Sequence, residues 1–248
     1  MLTRHLLLSL CALFCAVPAH AACEDAPARR VNWYACAKPG AMLNGADLRE
    51  AVLERADLSS ASLVGALLDG ADFGRGSLAG ADLSQARLSK ARLVGARLEG
   101  GHFDGAKLDA ARLERAQAAQ ASFPEANLSA ANAYQADFTK ADFTGATLDG
   151  VRLEQATLDA AVLRNASLNN ANLLRASLEN ALLAGARLRG ARLDGADLSN
   201  ADLSGADLSN ASLVGAILDG TRLDGARLDS TIWTDRRRCR PGAIGTCE

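Results

Sequence analysis

One register runs through most of this chain: alanine returns every fifth residue, and leucine stands two places after it. The stretch Ala196 to Ala216, ADLSNADLSGADLSNASLVGA, shows it plainly. A period of five suits neither regular element. On an α-helix each fifth residue is turned by about 140°, so the leucines would wander around the whole surface. On a flat strand every second leucine would point to the wrong face. The pattern works only if the chain turns a corner in each repeat. The leucine slot falls at 43, 48, 53 and onward to 233, thirty-nine slots with no insertion or deletion. Thirty-one hold Leu, five hold Phe (Phe73, Phe103, Phe123, Phe138, Phe143), two hold Ala (Ala118, Ala133) and the last holds Trp233. The slot two places earlier is Ala in thirty-four cases, the exceptions being Gly76, Gly101, Val151, Thr221 and Thr231. Two slots held in phase over this length outrank every other signal in the chain.

Copies such as ANLSA, ADFTK, ANLLR and ADLSG resemble the pentapeptide repeat family, whose unit reads A-(D/N)-L-x-x. The resemblance covers residues 41–235 and implies an all-β fold: a right-handed, quadrilateral β-helix, or pentapeptide repeat solenoid. Each repeat makes one side and four make a coil, with the Ala and Leu/Phe side chains inward and the other three positions facing solvent. Thirty-nine repeats then give about ten coils. At strand spacing the rod is roughly 47 Å long. Four successive slots form one layer, so Ala118 and Ala133 each share a layer with a Phe, which conserves layer volume. Phe103, Phe123 and Phe143 are twenty residues apart and should stack in a column. The repeat is weakest over Ala116 to Ala133, where Pro124 stands in an outward slot, and a bend is expected there if anywhere.

The termini read differently. Residues 1–21 carry Arg4 and His5, an apolar run from Leu6 to Val17, then Pro18 and an Ala19-His20-Ala21 box. That is the layout of a secretory signal peptide cut near Ala21–Ala22, and it is too short to span a bilayer as a helix. Cleavage removes Cys11 and Cys15 and leaves Cys23, Cys36, Cys239 and Cys247, two at each end of the rod. The rod separates the two pairs too far for cross-bridging. The expected bonds are therefore Cys23–Cys36 and Cys239–Cys247. A zinc site would need all four cysteines together, and no CxxC is present. A solenoid exposes its end coils and needs caps. Residues 22–40, with Trp33 in phase with the leucine slot, and residues 236–248, after Trp233, are read as those caps. The tail, Trp-Thr-Asp and then a two-cysteine loop, resembles the ending of many exported proteobacterial pentapeptide repeat proteins.

Catalytic signals are sparse. After cleavage His102 is the only histidine, in an outward slot, with no nucleophile motif around it. GRGSLAG (residues 74–80) resembles a dinucleotide loop only superficially, since it lies within the register and lacks a strand–helix unit. No enzyme activity, cofactor or metal is expected. The mature chain has 26 Lys and Arg (27 less Arg4) against 29 Asp and Glu, a net of −3. Sorting repeats by every fourth gives four sides. The Leu43 side has two basic and six acidic residues, and its Leu58 neighbour has two and seven. The Leu48 side balances at seven and seven. The Leu53 side has eight basic and six acidic residues, with Arg92, Arg112, Arg152 and Arg192 in one column. That column is the candidate interaction face.

These features describe an exported, non-enzymatic scaffold or protein-binding rod in the periplasm or outside the cell, monomeric or homodimeric, with no membrane span and no nucleic-acid partner. The family resemblance offers an alternative. Some members mimic duplex DNA and bind DNA gyrase, protecting it from quinolones. That role needs a cytoplasmic location and a strongly negative surface, which the signal peptide and the weak net charge oppose.

Overall fold

A computed structural model describes residues 23–247. The proposed signal peptide and Cys11 and Cys15 lie outside them. The described chain winds through one repeating unit. In the pentapeptide Ala166–Asn170, the Leu168 N–H donates to the Arg187 carbonyl (2.7 Å) and the Asn170 N–H to the Arg189 carbonyl (2.8 Å), both one coil ahead. Arg187 N–H donates back to the Ala166 carbonyl (2.9 Å), and Ala171 N–H closes the corner on the Leu168 carbonyl (3.1 Å). The residue between Ala and Leu therefore bridges its counterpart twenty residues on, in parallel, from Asn32↔Val52 to Ser212↔Ile232. Four corners of this kind make one coil.

The corner has its own sequence requirement. Every fifth residue from Arg30 to Ser230 has φ between 53° and 71°. Positive φ at the third of the four corner residues alone is the type II turn, which favours Gly and Asn there. Sixteen of the thirty-nine residues in this slot (45 to 235) are Gly, five are Asn, and none is Val, Ile or Thr, whose branched side chains resist this conformation.

The fourth residue of each repeat is the one whose N–H lacks a backbone acceptor, and where position two is Asp or Asn its side chain supplies one. Ser199 N–H donates to Asp197 Oδ1 (2.9 Å) and the Ser199 hydroxyl donates to the same oxygen (2.6 Å). The Asp202–Ser204, Asp207–Ser209, Asp137–Thr139 and Asp142–Thr144 pairs repeat this Asx arrangement. Where position two is Ser, a position-four acid of the preceding coil can take over: Asp149 accepts from Asn169 N–H (2.8 Å) and from the Ser167 hydroxyl (2.6 Å). The same economy explains Pro124. It occupies a position four, where no N–H is needed, and its carbonyl still accepts from Gly105 N–H (2.8 Å). The bridges run unbroken across 116–133.

Inside, the leucine slot is 0–1% exposed from Leu48 to Leu213, Ala118 and Ala133 included. Phe103, Phe123 and Phe143 stack with centroids 4.8 Å apart and planes within 11°. Phe138 meets Phe123 and Phe143 edge-on at 5.9 and 5.2 Å. Gly101 follows from this packing, because a Cβ there would lie 3.1 Å from the Phe103 ring.

The two ends are built unlike each other. At the N-terminus the ladder already includes Asn32 and Ala37, so the second half of the 22–40 segment belongs to the first coil. Val31 and Cys36 take inward Ala-slot positions there, and Trp33 is a core residue, 1% exposed. The Trp33 Nε1–H donates to the Asp25 carbonyl (3.2 Å), and the Lys38 ammonium lies 4.3 Å from the ring centroid. At the C-terminus Trp233 is only partly buried. The chain there reverses and pairs antiparallel with the last coil, Ile232↔Arg238 and Arg227↔Ile244. Disulfides Cys23–Cys36 and Cys239–Cys247 close the ends, with Cα–Cα distances of 5.5 and 4.8 Å.

Candidate functional site

The Leu53 side carries the column singled out in the sequence, and the parallel bridges assemble it. Asp72 bridges Arg92, Arg92 bridges Arg112, and the series continues through Asn132, Arg152 and Asn172 to Arg192 and Ser212. The four arginines do share one face, half-exposed to exposed. None of them is an unengaged cation. Arg92 Nη1 lies 2.9 Å from Asp72 Oδ1, and Arg112 Nη2 lies 3.1 Å from Glu114 Oε1. Arg152 Nε lies 3.3 Å from Glu154 Oε1, and Arg192 Nε lies 3.7 Å from Asp194 Oδ2.

These pairs are tied across coils as well. Asn132 Nδ2 donates to Glu114 Oε1 (2.9 Å), and Asn172 Nδ2 donates to Glu154 Oε1 (2.7 Å). The Ser212 hydroxyl donates to Asp194. An Arg–carboxylate pair with a polar clasp from the next coil thus recurs every forty residues. The face is a preorganised polar surface of near-balanced charge, not a positive stripe. Exposed pairs of this sort add little stability.

The acidic half, the Leu43 and Leu58 sides, has a different logic. Its position-two carboxylates are fixed by their Asx turns. The Ser59 hydroxyl, and then its amide, hold the Asp57 carboxyl below the usual carboxylate range. Ser84 does the same for Asp82, and Ser204 for Asp202. These residues therefore remain negative well below neutral pH. His102 bridges Asp82 and Ser122 on this half and is exposed, and the Ser122 hydroxyl beside it donates to Asp104 Oδ1 (2.5 Å). Gly76, from the GRGSLAG stretch, fills an inward Ala slot where a Cβ would meet the Ala56 carbonyl oxygen at 3.0 Å. Among the described residues no cluster of His, Cys, Asp and Glu is placed to hold a metal ion. No helix among them is long and apolar enough to cross a membrane.

Sequence reasoning placed the arginine column but missed its neutralisation. The signal was present: in the fragments Arg112-Leu113-Glu114 and Arg152-Leu153-Glu154 the acid stands two places after the arginine, on the same outward side.

The Pentapeptide repeats family matches this chain in overlapping copies between residues 40 and 229. Curated protein sequences give no match. Among solved structures, HetL, a pentapeptide repeat protein involved in heterocyst differentiation regulation in the cyanobacterium Nostoc, is 35% identical with a TM-score of 0.57. That alignment covers 84% of this chain and 92% of HetL. A pentapeptide repeat protein of the Arabidopsis thaliana thylakoid lumen is 26% identical over 42% of this chain and 79% of its own, with a TM-score of 0.38. QnrB1, a plasmid-mediated fluoroquinolone resistance protein, is 19% identical over 79% of this chain and 92% of its own, with a TM-score of 0.43. Proteins of this class are right-handed β-helices and generally act as structural or binding proteins rather than enzymes. The chain belongs to the pentapeptide repeat family.

Proposed function

We propose that this protein is an exported, non-enzymatic rod of about ten coils that binds a protein partner along its flat sides. The observation that carries the reading is the pair of local disulfides, one at each end of a rod that contains no cysteine between them. Bonds of that kind persist in oxidising compartments, which agrees with the signal-peptide layout of residues 1–21. The surface fits a binding role: side chains are ordered by Asx turns and ion pairs, so little rotamer freedom is lost on contact. The acidic half suits a partner with a basic surface. The gyrase-directed alternative has less support, because the Leu53 and Leu48 sides carry as many cations as anions or more.

Intact-mass measurement on the natively expressed protein, from separated cell fractions and with thiol alkylation, tests this. A periplasmic or secreted species that begins near Ala22 and takes up no alkylating agent is expected. A full-length cytoplasmic species with reactive thiols would overturn the proposal.

A further inference from the structure

The C-terminal end of the rod is a half-step. The returning tail covers two adjacent sides of the last coil, the Leu48 and Leu53 sides. There Leu228 N–H donates to the Ala243 carbonyl and Gly245 N–H to the Ala226 carbonyl. Trp233 N–H donates to Arg237, and Cys239 N–H to Thr231. The other two sides stay open. The N–H groups of Leu218 and Leu223 and the carbonyls of Ala216 and Thr221 have no partner among the described residues, although their counterparts in every earlier coil are paired. Leu218 and Leu223 are only partly buried, and Ile217 is 46% exposed.

The tail is complementary to this opening. Its inward-directed groups are used on its own coil, while the N–H and C=O of Arg238 and Ile244 point away and are unpartnered among the described residues. A parallel β-bridge needs one residue whose N–H reaches the carbonyl before its opposite number and whose C=O receives the N–H after it. Arg238 against Ile217 satisfies that with Ala216 and Leu218. Ile244 against Arg222 satisfies it with Thr221 and Leu223.

One chain cannot make these bridges to itself, because its tail already lies over the other two sides. A second copy can. A two-fold axis along the diagonal of the square end carries the two raised sides of one copy onto the two open sides of the other. It also turns the antiparallel tail into a strand parallel to the partner's edge. We infer that the protein forms a symmetric tail-to-tail dimer in which each tail continues the partner's solenoid over its open sides. Charge agrees in sign: the tail carries Arg236, Arg237, Arg238 and Arg240, and the open sides carry exposed Asp219 and Asp224, the latter paired with Arg222 at 3.4 Å. Unpaired sheet edges are otherwise a site of uncontrolled pairing.

The ends are small, so the association is expected to be weak, in the micromolar range. Sedimentation of the oxidised mature chain over about 1–100 µM, a range chosen for so small an interface, reads it directly. A concentration-dependent dimer is expected. Ile244→Pro removes an outward N–H while keeping both hydrogen bonds of Ala243 and Gly245, and should weaken the dimer about tenfold to a hundredfold, since it acts twice in a symmetric pair. Should that variant fail to fold, the charge reversal D219R/D224R, at exposed positions, should give the same loss. A chain that stays monomeric throughout, or a dimer indifferent to both variants, would overturn the inference.

Discussion

Two stretches of this rod solve one packing problem by different means. From Leu148 to Leu213 every slot holds leucine. From Phe103 to Phe143 the slots read Phe, Leu, Leu, Ala, Phe, Leu, Ala, Phe, Phe. Both stretches bury the slot to 0–1% exposure and keep the same ladder. What both stretches conserve is burial of the slot, not the identity of its occupant. The difference lies in coupling. Leucines in one layer are interchangeable, whereas Phe103, Phe123 and Phe138 share their layers with Ala118 or Ala133, and Phe123 stacks between Phe103 and Phe143.

The largest effect should come from Phe123→Ala. That side chain takes part in two stacked pairs and one edge-on pair. Large-to-small changes of this kind cost about 3–5 kcal/mol, and about 2–5 for Leu→Ala. With aromatic pairs adding about 0.5–1.5 kcal/mol each, Phe123→Ala should fall at the top of its range and clearly above Leu178→Ala. Denaturant midpoints of the two variants decide it. Equal shifts would mean that the aromatic stretch is not specially coupled.

Ala133→Leu is the converse test. Enlarging the methyl to an isobutyl group beside Phe138 overfills a layer and should destabilise by about 1–3 kcal/mol. The double variant A133L/F138L leaves one Phe, Phe123, beside three leucines in that layer and should recover part of that loss. Strictly additive effects would refute volume sharing. Gly101→Ala is expected to cost about 1 kcal/mol, because the added Cβ meets the Phe103 ring at 3.1 Å. Replacing Phe103 by Leu in the same chain should relieve the ring's share of it, leaving the Leu98 carbonyl oxygen, also at 3.1 Å.

The inward pattern was legible in the sequence because it depends on one property, size, repeated at a fixed interval. The Phe103–Phe123–Phe143 column followed from the twenty-residue coil alone. The outward positions were harder to read, since position two looks like any solvated polar residue. The Asp197-Leu198-Ser199 spacing is a turn motif that satisfies an otherwise unpaired amide, and its meaning appears only once the backbone shows which amide is left over. The same holds for the fifth position, whose lack of Val, Ile and Thr betrays positive φ. The first coil was misjudged at its boundary, because Val31, Trp33 and Cys36 occupy its inward slots without matching the consensus. The folded-back tail after Trp233 leaves no periodic trace at all.

The smallest effect concerns the caps that both stretches share. Asp57, Asp82 and Asp202 have carboxyl pKa values lowered on folding, chiefly by the serine hydroxyl and amide two residues on. A lowered folded value means that their contribution is present above the unfolded range, about pH 4, and is lost as pH falls through the folded value. Each side chain is largely solvated, so each contribution is modest. Asp202→Ala leaves the Ser204 amide without its acceptor and should lose about 1 kcal/mol at neutral pH. Asp202→Asn should lose less, because Asn127 already accepts from both the amide (3.0 Å) and the hydroxyl (2.6 Å) of Ser129 in another coil. What asparagine cannot supply is the titration. A triple variant, D57N/D82N/D202N, should therefore stay close to the parent near pH 7 and show a flatter decline of melting temperature between about pH 5 and pH 2. If the parent and the triple variant decline in parallel, these carboxylates act only as hydrogen-bond acceptors, and the acid sensitivity of the rod resides in its ion pairs instead.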